Sequence, residues 1–68
     1  MVKIKYLTHE GDTAQILELE EARTQIAQEI DKGNIVFDEA ERKLIEKATL
    51  GKIKDDSVAV VLPRIAGG

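Results

Sequence analysis

With 68 residues, the chain has room for one small domain, because a domain of this size buries only about 60% of the surface that its unfolded chain exposes. The absence of cysteine excludes disulfide bonds, thiolate catalysis and cysteine-ligated zinc. A formal net charge of -3 with dispersed lysines and arginines disfavours a nucleic-acid partner. Every apolar run is far shorter than the roughly 20 residues that span a bilayer, so we expect a soluble, cytoplasmic protein without a membrane partner.

The N-terminal segment 2–7 is predicted to be a strand. Apolar residues alternate there with Lys3 and Lys5, which is the two-residue period of a strand with one buried face. Turn-forming residues follow at 9–12, and segment 16–19 is again apolar. We therefore expect the two segments to pair as a hairpin whose connection is longer than a tight turn.

A helix of about three turns is predicted from Glu20, because Ala22, Ile26 and Ile30 recur at four-residue intervals. Gly33 follows where a left-handed cap would end the helix. The single apolar stripe indicates that one face of the helix covers a sheet. The residues expected to face outward are Glu21, Arg23, Gln25, Gln28 and Glu29.

Segment 34–37 supplies the next predicted strand, but segment 38–50 has two interpretations. Helical spacing connects Ala40, Leu44 and Ala48, and helix propensity alone would favour a helix. The other interpretation is a hairpin that returns as strand 43–46. It is slightly preferred, because one helix and a small sheet leave little apolar surface for a second helix to cover.

The apolar run 58–62 predicts a central strand, because both of its faces lack polar residues. The order of these elements is that of an α+β domain with a β-grasp (ubiquitin-like) fold, in which a mixed sheet of four to five strands wraps around one main helix. We expect residues 1–62 to form this domain and residues 63–68 to form a flexible diglycine tail.

The stretch 53–68 resembles the ending of the molybdopterin synthase small subunit and of the related thiamine-pathway sulfur carrier. In those families the ending reads Leu-x-Asp-Gly-Asp, an apolar strand, then Pro-Pro-Val-Ala-Gly-Gly. The residues that match are Asp55, Pro63, Ile65, Ala66, Gly67 and Gly68. Asp56 stands where the family favours glycine, and Arg64 replaces the second proline. The likeness is close over about the last quarter of the chain; elsewhere it rests on the order of elements.

This resemblance implies a carrier protein and not an enzyme. An ATP-using, ubiquitin-activating (E1-like) partner would adenylate the Gly68 carboxylate, and sulfide or a persulfide would convert it to a thiocarboxylate for sulfur transfer in cofactor biosynthesis. The chain itself would bind no cofactor. Its further partner would be a synthase large subunit or an acceptor protein. The residues implied to contact partners are Leu62, Pro63, Arg64, Ile65, Ala66 and Gly67.

Two alternatives remain open. Basic character before the diglycine, here Arg64, is also found in ubiquitin, so the chain could be a protein modifier conjugated through Gly68. It could instead be a docking module or structural subunit that never uses its end. Docking through the sheet would involve Leu7, Val61 and Leu62, which cannot all face the core if strand neighbours alternate. Arg64 and Lys52 are candidates for ion pairs with an acidic partner.

Other polar residues carry little chemistry in the sequence. His9 lies beside Glu10 and Asp12, but one imidazole and two loop carboxylates do not make a closed metal-ligand set. The acidic residues at 18, 20 and 21 suit the positive end of the predicted helix. The sequence contains no glycine-rich phosphate loop and no nucleophile with an adjacent base.

Overall fold

The computed structural model describes residues 1–8 and 10–63. Within them, a five-stranded mixed sheet has the order β2-β1-β5-β3-β4 and packs against one main helix. Strands β1 and β5 are parallel, and the other neighbouring pairs are antiparallel. This is the predicted α+β, β-grasp-like arrangement. The elements are β1 (Val2–Thr8), β2 (Gly11–Leu17), α1 (Leu19–Asp31), β3 (Ile35–Asp38), β4 (Lys43–Leu44), a 3₁₀ helix (Lys47–Lys52) and β5 (Val58–Leu62).

Strand β5 lies at the centre of the sheet, as its uninterrupted apolar sequence predicts. Ala59 and Val61 are buried in the core beneath α1, while Val60 is buried to 5% exposure on the opposite face. The core also contains Ile4 from β1 and Ile26 from α1, both fully buried. The N-terminal and C-terminal parts of the chain therefore share one core.

The first hairpin is tighter than the sequence suggests. Thr8 pairs with Gly11, so only two residues connect the strands, and Gly11 has a φ of 125° that glycine adopts readily. The predicted second strand, 16–19, was placed too late, because β2 begins at Gly11 and Leu19 already belongs to α1. The early part of β2 is polar and exposed, so it lacks the alternation that marks a strand with one buried face.

The end of α1 follows the prediction. Gly33 has a φ of 89°, and its N–H donates to the Ile30 carbonyl at 2.9 Å. The Asn34 N–H donates to the Glu29 carbonyl at 3.1 Å. These two bonds are the Schellman pattern, which satisfies carbonyls at the C-terminus of a helix.

The prediction that Glu29 faces outward is wrong. The residue is buried, with 6% of its surface exposed. Its carboxylate accepts hydrogen bonds from Asn34 Nδ2 at 2.8 Å, Gln25 Nε2 at 3.2 Å and Lys32 Nζ at 3.2 Å. A buried carboxylate is tolerated when such donors satisfy it. Together with burial, which is the larger effect, Glu29 raises the pKa of Tyr6 above its ordinary value.

Segment 38–50 contains the short hairpin and not the long helix. Strand β4 has two residues, so the predicted strand 43–46 is shorter than expected, and the 3₁₀ helix follows it. Arg23, another residue predicted to face outward, holds this region against α1. Its guanidinium donates to the Ile53 carbonyl at 2.9 Å and to the Gly51 carbonyl at 3.4 Å.

Asp56 has a left-handed backbone conformation in the turn before β5. The Ser57 N–H donates to the Lys54 carbonyl at 3.0 Å, which closes a turn in which Asp56 has a φ of 70°. This left-handed conformation is easy for glycine and accessible to aspartate, but costly for other side chains. Aspartate at position 56 is therefore compatible with this turn.

The contribution of the core to stability can be measured with the Ile26→Ala variant. Removing this fully buried side chain should lower the free energy of unfolding by about 2–5 kcal/mol. Ile16→Ala is the matched control, because Ile16 is 63% exposed, and it should change the stability by less than about 1 kcal/mol. Urea denaturation followed by circular dichroism measures both. Equal losses in the two variants would contradict the core described above.

The turn before β5 is expected to discriminate between substitutions at Asp56. Asp56→Gly should leave the free energy of unfolding unchanged or raise it by up to about 1 kcal/mol, because relief of the left-handed backbone opposes the entropy cost of glycine. Asp56→Val should lower it by about 1–2 kcal/mol. Lys54→Val is the control, since Lys54 is exposed and does not have a positive φ. If urea denaturation shows the same free energy of unfolding for Asp56→Val and Lys54→Val, the left-handed backbone of Asp56 does not determine which residues the turn accepts.

Candidate functional site

The face of the sheet turned away from α1 carries an apolar patch. Val2 and Ile4 are buried against the helix, so the odd-numbered residues of β1 point to the other side. Paired residues on neighbouring strands project from the same face, so the pairing identifies the outward-facing residues of the other strands as well. We define the outer-face patch as the large apolar residues Leu7, Ile35, Phe37, Leu44, Val60 and Leu62.

The patch is packed at its centre and exposed at its rim. Val60 is only 5% exposed, because it pairs with Lys5 on one side and Phe37 on the other. Ile35 is 49% exposed and Leu44 is 63% exposed. A contiguous group of exposed apolar side chains on a small domain is typical of a binding surface.

A charged pair borders the patch towards the beginning of β5. Lys5 Nζ lies 3.0 Å from Glu39 Oε2, and the Glu39 N–H donates to the Val58 carbonyl at 2.9 Å. At the other end of β5 the neighbours are apolar, since Leu62 pairs with Ile35. The patch is therefore open towards the end of β5.

The predicted tail residues begin at this open end. Leu62 is the half-buried last residue of β5, and Pro63 is exposed directly after it. The strand thus fixes where the tail leaves the domain. The remaining predicted tail residues lie outside the described residues; they are Arg64, Ile65, Ala66, Gly67 and Gly68.

The structure separates the other sequence-predicted surface residues. Leu7 belongs with Leu62 in the outer-face patch, whereas Val61 is 2% exposed and lies in the core. The prediction that the three cannot all face the core is confirmed, and Val61 is not available on the surface for docking. Lys52 lies elsewhere, in a groove of about 620 Å³ that it lines together with Asp55 near the start of β5. Asp55 accepts a hydrogen bond from the Met1 amino group at 2.9 Å, and this bond raises the pKa of that amine.

Four patch residues were missed in the sequence: Ile35, Phe37, Leu44 and Val60. Strand alternation could have indicated that they face outward, because their chain neighbours Val36, Ile45 and Val61 are buried in the core. Alternation becomes usable only when the strand register is known, and a fully apolar strand such as β5 does not reveal which residues point to which face.

The acidic residues near the helix start have the structural positions that the sequence predicts. Glu18 is the N-cap residue, and Glu20 and Glu21 lie in the first turn of α1. His9 lies outside the described residues. Within residues 1–8 and 10–63, no three His, Cys, Asp or Glu side chains are grouped so as to hold a metal ion. None of the helices in this part of the chain is long and apolar enough to cross a membrane.

Comparison with protein-family models, with curated proteins and with solved structures finds no match to this chain. A functional assignment therefore depends on the fold, the outer-face patch and the sequence of the last six residues. Pro63, the first of these six residues, follows Leu62 at the open end of the patch.

Proposed function

We propose that the chain is a ubiquitin-like sulfur carrier whose Gly68 carboxylate is the working group. The observation that carries the proposal is the central position of β5, whose last residue, Leu62, precedes the sequence that ends in Gly67 and Gly68. A buried strand followed by two glycines without side chains suits a chain terminus that another protein must bind and modify. The protein itself is then a substrate and carrier of the cytoplasm, and not an enzyme.

The chemistry demands little of the domain. A carboxylate is a poor acyl donor, so an activating enzyme first transfers AMP from ATP to the Gly68 carboxylate and releases pyrophosphate. Sulfide then attacks the acyl carbon, a C–S bond forms, and AMP leaves to give the thiocarboxylate. Because glycine has no Cβ, Gly67 and Gly68 can enter a channel too narrow for other residues. ATP is bound by the partner.

The outer-face patch gives the activating enzyme a surface to hold. Its exposed members Ile35 and Leu44 lie on the same face as Leu62, from which the tail departs. A partner that covers this face would bury apolar area and fix the direction of the tail at the same time. A synthase large subunit or another sulfur acceptor could use the same face in turn, because activation and transfer are successive steps.

The same features suit a ubiquitin-like modifier, for which the final acceptor is an amine and the product an isopeptide bond. Arg64 before the diglycine favours this second candidate, because ubiquitin also has basic character there. A non-covalent docking module would use the outer-face patch and leave Gly68 unchanged. These candidates differ in the covalent fate of the terminal carboxylate.

The fate of Gly68 can be measured by intact-protein mass spectrometry. The chain is incubated with ATP, sulfide and a lysate of its own organism, beside a chain that lacks Gly68. We expect a mass gain equal to the replacement of one oxygen by sulfur, which the truncated chain does not show. Isopeptide-linked adducts would instead identify a modifier. If no covalent change occurs under conditions that convert a known carrier, the sulfur-carrier and modifier proposals are both contradicted and the docking module is favoured.

The role of the outer-face patch can be tested with Ile35→Glu. A charge among the exposed apolar residues that a partner would cover should slow thiocarboxylate formation at least about tenfold, because an apolar contact is replaced by a desolvated carboxylate. Ile16→Glu is the matched control, since Ile16 is also an exposed isoleucine (63%, against 49% for Ile35) on the same face but outside the patch. Urea denaturation of both variants verifies that they fold. Equal rates for the two variants would exclude the patch from activation.

A further inference from the structure

We propose that the free edge of β2 binds an extended peptide with alternating basic and apolar residues, which adds to the sheet as a further strand. Strand β2 is the outermost strand beside β1 and has seven residues. An extended peptide can pair with such an edge through its main chain and gain specificity from alternate side chains. This proposal does not depend on the fate of Gly68.

The register shows which main-chain groups of β2 are available. The Lys3 N–H donates to the Ser57 carbonyl at 3.1 Å, so the main chain of Lys3 points towards β5 and away from β2. Bonded and non-bonded pairs alternate in an antiparallel ladder, and Lys3 pairs with Ile16. It follows that the N–H and C=O groups of Asp12, Ala14 and Ile16 point outward. Among the described residues they have no hydrogen-bond partner.

This edge lacks the features that usually protect a sheet edge. Natural edge strands are short, bulged, or carry lysine or proline. The sequence of β2 contains neither lysine nor proline, and its pairing with β1 continues without interruption from Gly11 to Leu17. Six of its seven residues are exposed. A further strand would therefore meet no lysine, proline or bulge along the edge, and Asp12 is the one charged residue of β2.

The surroundings of the edge select the side chains of the peptide. On the helix side, a groove of about 350 Å³ separates β2 from α1 and is lined by Gln15, Leu17, Glu20, Glu21, Thr24 and Gln25. Leu17 offers an apolar contact for an aliphatic stem, and Glu21 offers negative charge at its end. Lysine or arginine has this combination. Glu20 adds to the acidic rim, although its Oε1 already accepts from Arg23 Nη1 at 3.0 Å. On the outer face the neighbours are Asp12, Ala14 and the exposed Ile16. Ala14 and Ile16 suit apolar side chains.

Charge also argues against a second copy of this chain as the occupant. The β2 segment of another copy contains no lysine or arginine, so it would bring no positive charge to Glu20 and Glu21. The chain as a whole has a formal charge of -3, which opposes self-association at this acidic edge. A basic segment of another protein therefore fits the edge better.

The test uses the whole chain and the synthetic peptide acetyl-Lys-Val-Lys-Val-Lys-Val-Lys-amide, with NMR-detected amide hydrogen exchange. On addition of the peptide, the amides of Asp12, Ala14 and Ile16 should become protected. Those of Thr13 and Gln15, which already bond to β1, should change little. A peptide with glutamate in place of lysine should not bind, and neither should one whose alternate main-chain nitrogens are methylated.

Two variants separate main-chain pairing from charge. Ala14→Pro removes one outward N–H at a position where an edge strand tolerates proline, and it should weaken peptide binding up to about tenfold, which corresponds to the loss of one hydrogen bond. Glu21→Gln should weaken binding about twofold to fivefold at low salt. Glu41→Gln is the control, since Glu41 is exposed in the β3–β4 turn and should leave the affinity unchanged.

Several results would overturn the proposal: no binding of the lysine peptide, equal binding of the glutamate peptide, or protection outside the alternate amides of β2. Protection of the same three amides without peptide, rising with protein concentration, would identify a second copy as the occupant and would equally refute it. The experiment needs no activating enzyme, so its outcome is independent of the sulfur-carrier proposal.

Discussion

The structure depends on the burial of β5 on both of its faces. Ala59 and Val61 contact the core under α1, and Val60 is covered on the outer face by its cross-strand neighbours. The same strand bonds to β1 on one side and β3 on the other. Without it, the N-terminal hairpin and the β3–β4 hairpin would have no common sheet. The chain has no cysteine and so no disulfide bond. The two hairpins are joined through their hydrogen bonds and packing with this shared strand.

The sequence was most informative where burial leaves a pattern. Strand β1 has one buried face, so its apolar and polar residues alternate. Strand β5 has two buried faces, so its sequence is continuously apolar. Gly33 marks a left-handed position that ends α1. Strand β2 was placed too late because an edge strand with little burial has no such pattern. Glu29 was misplaced for a related reason. Its burial depends on donors supplied by the following turn and helix, which residue type alone does not reveal.

The candidate site was partly predictable for the same physical reason. Leu7, Val61 and Leu62 were nominated together from the sequence, and the strand register was needed to place Val61 in the core. Ile35, Phe37 and Leu44 join the patch only through the register of β3 with β4 and β5. Two binding surfaces are proposed, and β1 lies between β2 and β5. A partner on the outer-face patch and a peptide on the β2 edge would therefore approach the sheet from different sides. The domain is small, yet its topology keeps these two surfaces apart.

The parallel pairing of β1 with β5 also has a mechanical consequence. A partner that grips the segment after Leu62 and pulls exerts force along the axis of β5. Because β5 lies between β1 and β3, that force acts across its hydrogen bonds to both neighbours at the same time. Ladders loaded in this shearing direction share the tension among many bonds, whereas ladders loaded at one end break bond by bond. The domain is thus built to withstand tension transmitted through its final strand.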